Sequence, residues 1–232
     1  MKPALPLLAA GLLAGCSSGL SSVNRLSTNT VGTGDLLMPV RSMEEQKFSG
    51  IVRQRFDFSC GSAALATLLH HHYGRLVGEQ ETFLGMWRDG DRVAIRKVGF
   101  SLLDMKRYLG SLDLRADGFK VSLDQIQKTG IPGIALITVN NYRHFVVVKG
   151  VNDREVLIGD PSTGLRSMPR DRFQSVWNGV FFVLNSEQER GRTAFNTGLQ
   201  WASLPRGPLG ARFADPISQQ ALALTAPFYR DF

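Results

Sequence analysis

Apolar residues recur at helical spacing in the first half of the chain. Between residues 63 and 69 they form a stripe that predicts a buried helix beginning at Cys60 and ended by Gly74. Two capping-box patterns, at Ser101 and Ser122, predict the starts of further helices. The shorter predicted helices cover residues 79–89, 102–109, 123–129 and 169–177.

From Ile131 the apolar pattern changes from helical to extended. Segments rich in β-branched and aromatic residues predict consecutive strands at residues 131–140, 143–151, 155–161 and 180–185. An alternating segment over residues 48–57 also predicts a short strand. Helices followed by strands predict an α+β fold, with an N-terminal helical half packed on a C-terminal antiparallel sheet.

A chain of 232 residues with 43% hydrophobic content is long enough for one sizeable core. The polar segment that follows the apolar N-terminus is typical of a flexible tether, and the proline-containing C-terminal segment predicts loops with one short helix around residues 217–224. The predicted organisation is a signal peptide (1–15), a tether (16–47), a core domain (48–185) and a C-terminal extension (186–232).

The chain is basic, with a formal net charge of +7. Its Lys and Arg residues are scattered and form no basic run with interleaved aromatic residues, so the sequence argues against a nucleic-acid partner. The charge is better explained by attraction to anionic lipid, to cell wall or to an acidic polypeptide.

The N-terminus has the pattern of an export signal. Lys2 precedes an apolar run over residues 5–13 that is too short to span a membrane. The run ends in LAGC, which resembles a bacterial lipobox and implies cleavage before Cys16, acylation of its thiol and a lipid anchor; Ser17 resembles the outer-membrane sorting choice. We expect a periplasmic lipoprotein on the outer membrane; the alternative is an ordinary secretory signal that leaves a soluble periplasmic protein.

Removal or acylation of Cys16 leaves Cys60 as the one thiol without a cysteine partner. At a helix start, unpaired backbone N–H groups and the positive end of the dipole favour the thiolate and lower its pKa. Gln54 lies six residues upstream, where its amide is a candidate donor to an oxyanion. The alternatives are that Cys60 is a small buried hydrophobic residue and that Gln54 is a surface residue.

A base for Cys60 is available in His144, which precedes an apolar run and so lies at a strand start. The following strand ends in Asp160, a carboxylate suited to orient the imidazole if the two strands pair as a hairpin. A structural histidine and a carboxylate that caps the turn before Pro161 are the alternatives. With Cys60 as nucleophile, these residues indicate acyl transfer of the Cys-His-Asp kind.

The run His70–His72 is a poor candidate for a metal site. Consecutive residues on a helix point about 100° apart and do not converge on one ion. Cations at a helix C-terminus suit the dipole, which is a sufficient reason for the run. The sequence therefore predicts neither a metal nor any other cofactor.

The chain resembles the bacteriocin-processing cysteine peptidases, a papain-like family that removes double-glycine leader peptides. The residues that carry the resemblance, within residues 50–185, are Gln54, Cys60-Gly61, Ala63, His144 and Asp160-Pro161. One departure is Ser59, which stands where the family commonly has Asp before the nucleophile. The resemblance implies a papain-like fold with Cys60 and His144 on opposite walls of a cleft.

The sequence thus predicts an exported, stand-alone cysteine endopeptidase that processes a secreted polypeptide. It is similar in layout to the peptidase component of operons that secrete functional amyloid, which implies secretion-system proteins as further partners. Two alternatives stay open: a module that holds a Gly-rich client in the cleft without cleaving it, and a papain-like enzyme that hydrolyses cell-wall peptides.

Overall fold

The computed structural model describes residues 42–56, 59–139 and 142–204. The chain divides into two units, Met1–Ser42 and Met43–Phe232, and the account below concerns the second. The predicted signal peptide, the lipidation of Cys16 and the helix expected around residues 217–224 lie outside the described residues. No helix among the described residues has the length and apolar character needed to cross a membrane.

Most helices precede the sheet, as predicted. The long helix α2 begins at Cys60 and is ended by Gly74, the residue after Tyr73, which adopts the left-handed conformation that favours glycine. The capping boxes at Ser101 and Ser122 are both present. The helices are α1 Met43–Lys47, α2 Cys60–Tyr73, α3 Glu79–Asp89, α4 Arg92–Val98, α5 Leu102–Ser111, α6 Leu123–Thr129, α7 Arg170–Val176, α8 Gln188–Thr193 and α9 Gly198–Ala202.

The strands form one antiparallel sheet in the order β1-β6-β2-β3-β4-β5. Their bounds are β1 Ala116–Lys120, β2 Gly133–Val139, β3 Tyr142–Val151, β4 Glu155–Asp160, β5 Gly164–Pro169 and β6 Trp177–Leu184. The four strands predicted from residue 131 onward are confirmed as β2, β3, β4 and β6. This is the α+β, papain-like arrangement that the resemblance implies.

Strand β3 lies inside the sheet and has both faces covered. Phe145 and Val147 pack in the core cluster that contains α2, whereas Val146 and Val148 pack in a second cluster with residues of α6 and α7. Burial on both faces explains why β3 has a continuous apolar run instead of an alternating one. The start of β3 and the start of α2 are therefore held by the same packed interior.

Two local expectations were wrong. Residues 51–54 form no strand; they are held by single hydrogen bonds, from Val52 N–H to Thr67 Oγ1 and from Gln54 N–H to the carbonyl of Pro161. After residue 185 the sequence favours loops, but α8 and α9 follow. Asn196 N–H donates to the carbonyl of Lys149, which ties this part of the chain to β3.

Candidate active site

Cys60 is the first residue of α2 and is buried, with 7% of its surface exposed. The residue before it, Ser59, occupies the N-cap position, and its side chain accepts no capping hydrogen bond from the first turn. Backbone N–H groups of Gly61 and Phe145 donate to the thiol instead. The helix start thus presents donors to the sulfur, and β3 adds one from the residue after His144.

His144 and Asp160 are brought together across the β3–β4 pair. His144 Nε2 lies 2.8 Å from Asp160 Oδ1, and both side chains are buried. Since an ionised carboxylate only accepts hydrogen bonds, Nε2 carries the proton and Nδ1 is the nitrogen available to Cys60. Nδ1 is buried, and no group in the described part of the chain satisfies the usual hydrogen-bond geometry to it. It is close enough to the thiol for each group to shift the pKa of the other.

The electrostatics of the pair favour separated charges. Burial acts to raise the pKa of Cys60, but His144 and the two backbone donors outweigh it, and the pKa lies below its ordinary value. Burial acts to lower the pKa of His144, but Asp160 and Cys60 raise it to about 9. A thiolate beside an imidazolium is therefore the favoured state near neutral pH.

Asp160 has the two functions that the sequence left as alternatives. Its Oδ1 accepts from His144 and from the backbone N–H groups of Ser162 and Thr163, so it both orients the imidazole and closes the turn after β4. Its Oδ2 accepts from Arg166 Nη2 at 3.1 Å, a partner that the sequence did not reveal. Despite burial, the bonds from His144 and Ser162 and the charge of Arg166 hold the pKa of Asp160 well below its usual range.

Gln54 lies in the irregular segment before α2, with its N–H bound to the carbonyl of Pro161, the residue after Asp160. It lines a cleft of about 710 Å³ between residues 52–55 and 78–80. Its Oε1 is buried without a hydrogen-bond partner among the described residues. The proposed oxyanion donor is thus tied to the same turn as the carboxylate that orients His144.

Ser59, the departure from the family pattern, is fully buried and donates from Oγ to Glu79 Oε1 at 2.5 Å. Glu79 is itself buried, at 7% exposure, and is the residue of this region that the sequence did not single out. The helix dipole favours an acidic residue in the first turn of α3, so the local sequence does not mark Glu79 as a partner of Ser59. The contact joins residues twenty positions apart, and helical periodicity does not predict such contacts.

Two of the three histidines at the end of α2, His71 and His72, do not carry the positive charge that would suit the helix dipole. Burial and the charge of Lys149 lower the pKa of His71 to about 4 and hold that of His72 well below its ordinary value. His72 is buried, and its Nδ1 lies 3.1 Å from the carbonyl of Ala194. Its role is packing against the segment after α8 rather than balancing the dipole. Among the described residues, no three His, Cys, Asp or Glu side chains are grouped to hold a metal ion.

In a comparison with known protein families, residues 49–189 match the peptidase C39 family. The chain is 39% identical over 161 residues to the "Probable functional amyloid protease FapD" of Pseudomonas aeruginosa, covering 69% of this chain and 71% of that protein. It is also 39% identical over 177 residues to the protein of the same name from Pseudomonas fluorescens, covering 76% of each. Among solved structures, the peptidase domain of Streptococcus ComA, a bifunctional ABC transporter, is 25% identical with a TM-score of 0.49, covering 58% of this chain and 96% of that one.

Proposed function

The chain belongs to the peptidase C39 family and is a cysteine peptidase of the double-glycine type, and from this premise we propose that it is an exported endopeptidase that cleaves a secreted polypeptide client. The observation that carries the proposal is the buried constellation of Cys60, His144 and Asp160, in which the thiolate is favoured and the imidazole is oriented. Cys60 is the nucleophile, His144 the acid and base, and Asp160 the orienting group.

In the first half of the reaction, the Cys60 thiolate attacks the carbonyl carbon of the scissile peptide bond and forms a C–S bond. The carbonyl oxygen becomes an oxyanion, which the side-chain amide of Gln54 and the backbone N–H of Cys60 stabilise. The C–N bond then breaks, and the imidazolium of His144 transfers its proton to the leaving amine. The products of this half are the released C-terminal fragment and a thioester.

In the second half, a water molecule attacks the thioester carbon while neutral His144 accepts its proton. The C–S bond breaks and the thiolate leaves, so that the thiolate and the imidazolium are restored. Asp160 accepts the Nε2 hydrogen bond throughout and stabilises the charged ring without taking a proton. The cycle consumes one water molecule for each peptide bond.

The substrate that we propose has two glycines before the scissile bond. Glycine has no Cβ, so an extended Gly-Gly segment lets the substrate backbone approach buried groups such as Cys60 and His144 closely. We propose a client in functional amyloid or biofilm matrix export, and the names of the two FapD relatives support functional amyloid. Proteins of the secretion system are further proposed partners.

We also propose export to the periplasm and anchoring to the outer membrane through an acylated Cys16, with a soluble periplasmic protein as the alternative. The support is the short apolar run that ends in LAGC. A lipid anchor would hold the peptidase at the membrane across which its client leaves.

The alternative of a binding module that grips its client without cleavage is not favoured. Such a module has no use for a thiol pKa below the ordinary value or for a buried carboxylate that orients an imidazole. Its expected signature is a neutral, unreactive cysteine.

The test compares the secreted proteins of cells that carry the wild-type protein with those of cells that carry Cys60→Ala. We expect one protein whose N-terminus follows a Gly-Gly pair in the wild type and which keeps its leader in the variant. As a control, the purified Cys60→Ala protein should unfold at the same midpoint temperature as the wild type, which would exclude a folding defect. Identical N-termini in both strains would exclude the proposed processing.

A further inference from the structure

One carboxylate oxygen joins the two described ends of the connection that runs from Gln54 to Cys60. Glu79 Oε1, in the first turn of α3, accepts a hydrogen bond from the backbone N–H of Arg55 at 2.9 Å and another from Ser59 Oγ at 2.5 Å. Arg55 directly follows Gln54, and Ser59 directly precedes Cys60. Glu79 is therefore hydrogen-bonded to the chain neighbours of Gln54, the proposed oxyanion donor, and of Cys60, the proposed nucleophile.

The hydroxyl of Ser59 has a single proton and two acceptors within reach, Glu79 and the carbonyl of Phe56. An ionised carboxylate is the stronger acceptor, and the shorter distance is to Glu79. Ser59 Oγ in turn accepts from the N–H of Phe56 at 3.2 Å. The carboxylate thus anchors a short chain of hydrogen bonds.

The nucleophile has supports that do not depend on Glu79. Ala63 N–H and Ser62 Oγ both donate to the carbonyl of Ser59, and α2 continues through the buried core. Gln54 lies in a segment without regular structure, where its own N–H is bound to Pro161 and the next N–H is bound to Glu79. Loss of Glu79 would remove one of these two backbone anchors and leave the helix that carries Cys60 in place.

From this arrangement we propose that Glu79 is a positioning residue for oxyanion stabilisation, which fixes the backbone beside Gln54 so that its amide meets the developing charge. The inference rests on the proposed function, because it concerns the same reaction. It also accounts for Ser59: a hydroxyl that donates to a carboxylate from α3 occupies the position where the family commonly carries its own carboxylate.

The physical reason for a large effect is that oxyanion stabilisation requires a donor placed in advance. A displacement of about 1 Å of a positioned group costs on the order of 10²-fold in rate. Removal of an oxyanion donor itself costs on the order of 10² to 10³ in kcat. If Glu79 acts through Gln54, its removal should not add to the loss caused by removing Gln54.

The experiment measures kcat and KM of the full chain on a fluorogenic peptide ending in Gly-Gly-aminomethylcoumarin, together with the rate of Cys60 alkylation by iodoacetamide. Glu79→Ala should lower kcat on the order of 10²-fold, with KM and alkylation unchanged. Glu79→Gln retains an acceptor oxygen and should recover most of kcat. Glu81→Ala, which removes an exposed carboxylate from the same helix, is the matched control and should match the wild type.

The deciding comparison is the double variant Gln54→Ala/Glu79→Ala. We expect its kcat to equal that of Gln54→Ala alone, because groups that act as one unit are not additive. The inference would be overturned if the loss of kcat in the double variant equalled the product of the two single losses. It would also be overturned if the alkylation rate of Glu79→Ala fell as far as its kcat. If Glu79→Ala does not fold, Glu79→Asp, which withdraws the carboxylate by one methylene from the Arg55 N–H, should lower kcat in the same direction. Peptide turnover that Cys60→Ala leaves intact would instead refute the proposed function.

Discussion

His144 donates a hydrogen bond from Nε2 to Oδ1 of Asp160 over 2.8 Å, and this bond determines which ring nitrogen is left for Cys60. The donor and the acceptor both come from the sheet, whereas the sulfur comes from the start of α2. The geometry therefore depends on packing between the helical half and the sheet. The reactivity depends on whether the proton shared by Cys60 Sγ and His144 Nδ1 lies on the sulfur or on the nitrogen.

The first prediction concerns the pH dependence of turnover. Activity should fall on the acid side as the Cys60 thiolate, whose pKa is lowered, takes up a proton. It should fall on the alkaline side as the His144 imidazolium loses its proton at about pH 9. We expect a bell-shaped pH profile of kcat/KM, whose acid and alkaline limbs report the Cys60–His144 pair as a unit.

The rate of Cys60 alkylation by iodoacetamide should be half-maximal below about pH 8.5, the pKa of a free thiol. A midpoint at or above that pH would contradict the ion pair.

The second prediction separates the orienting group from the proton carrier. His144→Ala should lower turnover as far as Cys60→Ala does, because either change removes the covalent route. Asp160→Asn should cost less, since the ring remains but loses the carboxylate that stabilises its charged form and its tautomer. In Asp160→Asn the alkaline limb should move below pH 9, because the pKa of His144 is no longer raised by this partner.

Arg166→Met is the control for the second prediction, since Arg166 donates to Oδ2 of Asp160 whereas His144 donates to Oδ1. Arg166→Met should lower turnover less than Asp160→Asn does, and Asp160→Asn should still lower it less than His144→Ala. An alkaline limb that stays in place in Asp160→Asn would show that Asp160 does not set the pKa of His144.

The sequence predicted the elements that are buried and missed those at the edges. α2 and β3 have apolar runs that only a buried element explains, and both were found. The missed strands β1 and β5 are the two edges of the sheet, and both are short, with five and six residues. In β1 only Ala116 is buried, so no alternation marks it.

The site was predictable as far as its residues lie in recognisable local contexts. Cys60 at a helix start and His144 at a strand start are such contexts. Glu79, in contrast, was not predicted, because its hydrogen-bond partners lie 20 and 24 positions away in the sequence. Lys149 interrupts the apolar run of β3, and it is buried with Nζ donating a hydrogen bond to the carbonyl of Gly50. These roles arise from packing between segments, which periodicity does not encode.

The third prediction concerns anchoring. If LAGC is a lipobox, Cys16→Ser should leave an uncleaved precursor or release the mature protein from membrane fractions. Cys60→Ser is the matched control, since it removes the other thiol and leaves the proposed acylation site intact. Fractionation followed by detection of the protein distinguishes the two variants. Equal cleavage and equal fractionation of both variants and the wild type would point to an ordinary signal peptide.

The last prediction concerns Lys149, whose side chain is 2% exposed and donates from Nζ to the carbonyl of Gly50 at 2.9 Å. Burial lowers the pKa of Lys149 to about 8, against about 10.4 for an unfolded chain. Between these values the unfolded chain binds a proton that the native protein does not, so this group makes the free energy of unfolding rise with pH. The full rise from this group is about 3 kcal/mol.

His144 acts in the opposite direction over part of this range, since its pKa is raised to about 9 and its contribution is lost as pH increases through that value. The informative quantity is therefore the difference in unfolding free energy between the wild type and Lys149→Met, from urea titrations at several pH values. The wild type should gain on the variant between pH 8 and about pH 10.4. Lys128→Met, at an exposed lysine, should give a curve parallel to the wild type. A Lys149→Met curve that is also parallel would mean that Lys149 keeps an ordinary pKa in the folded protein.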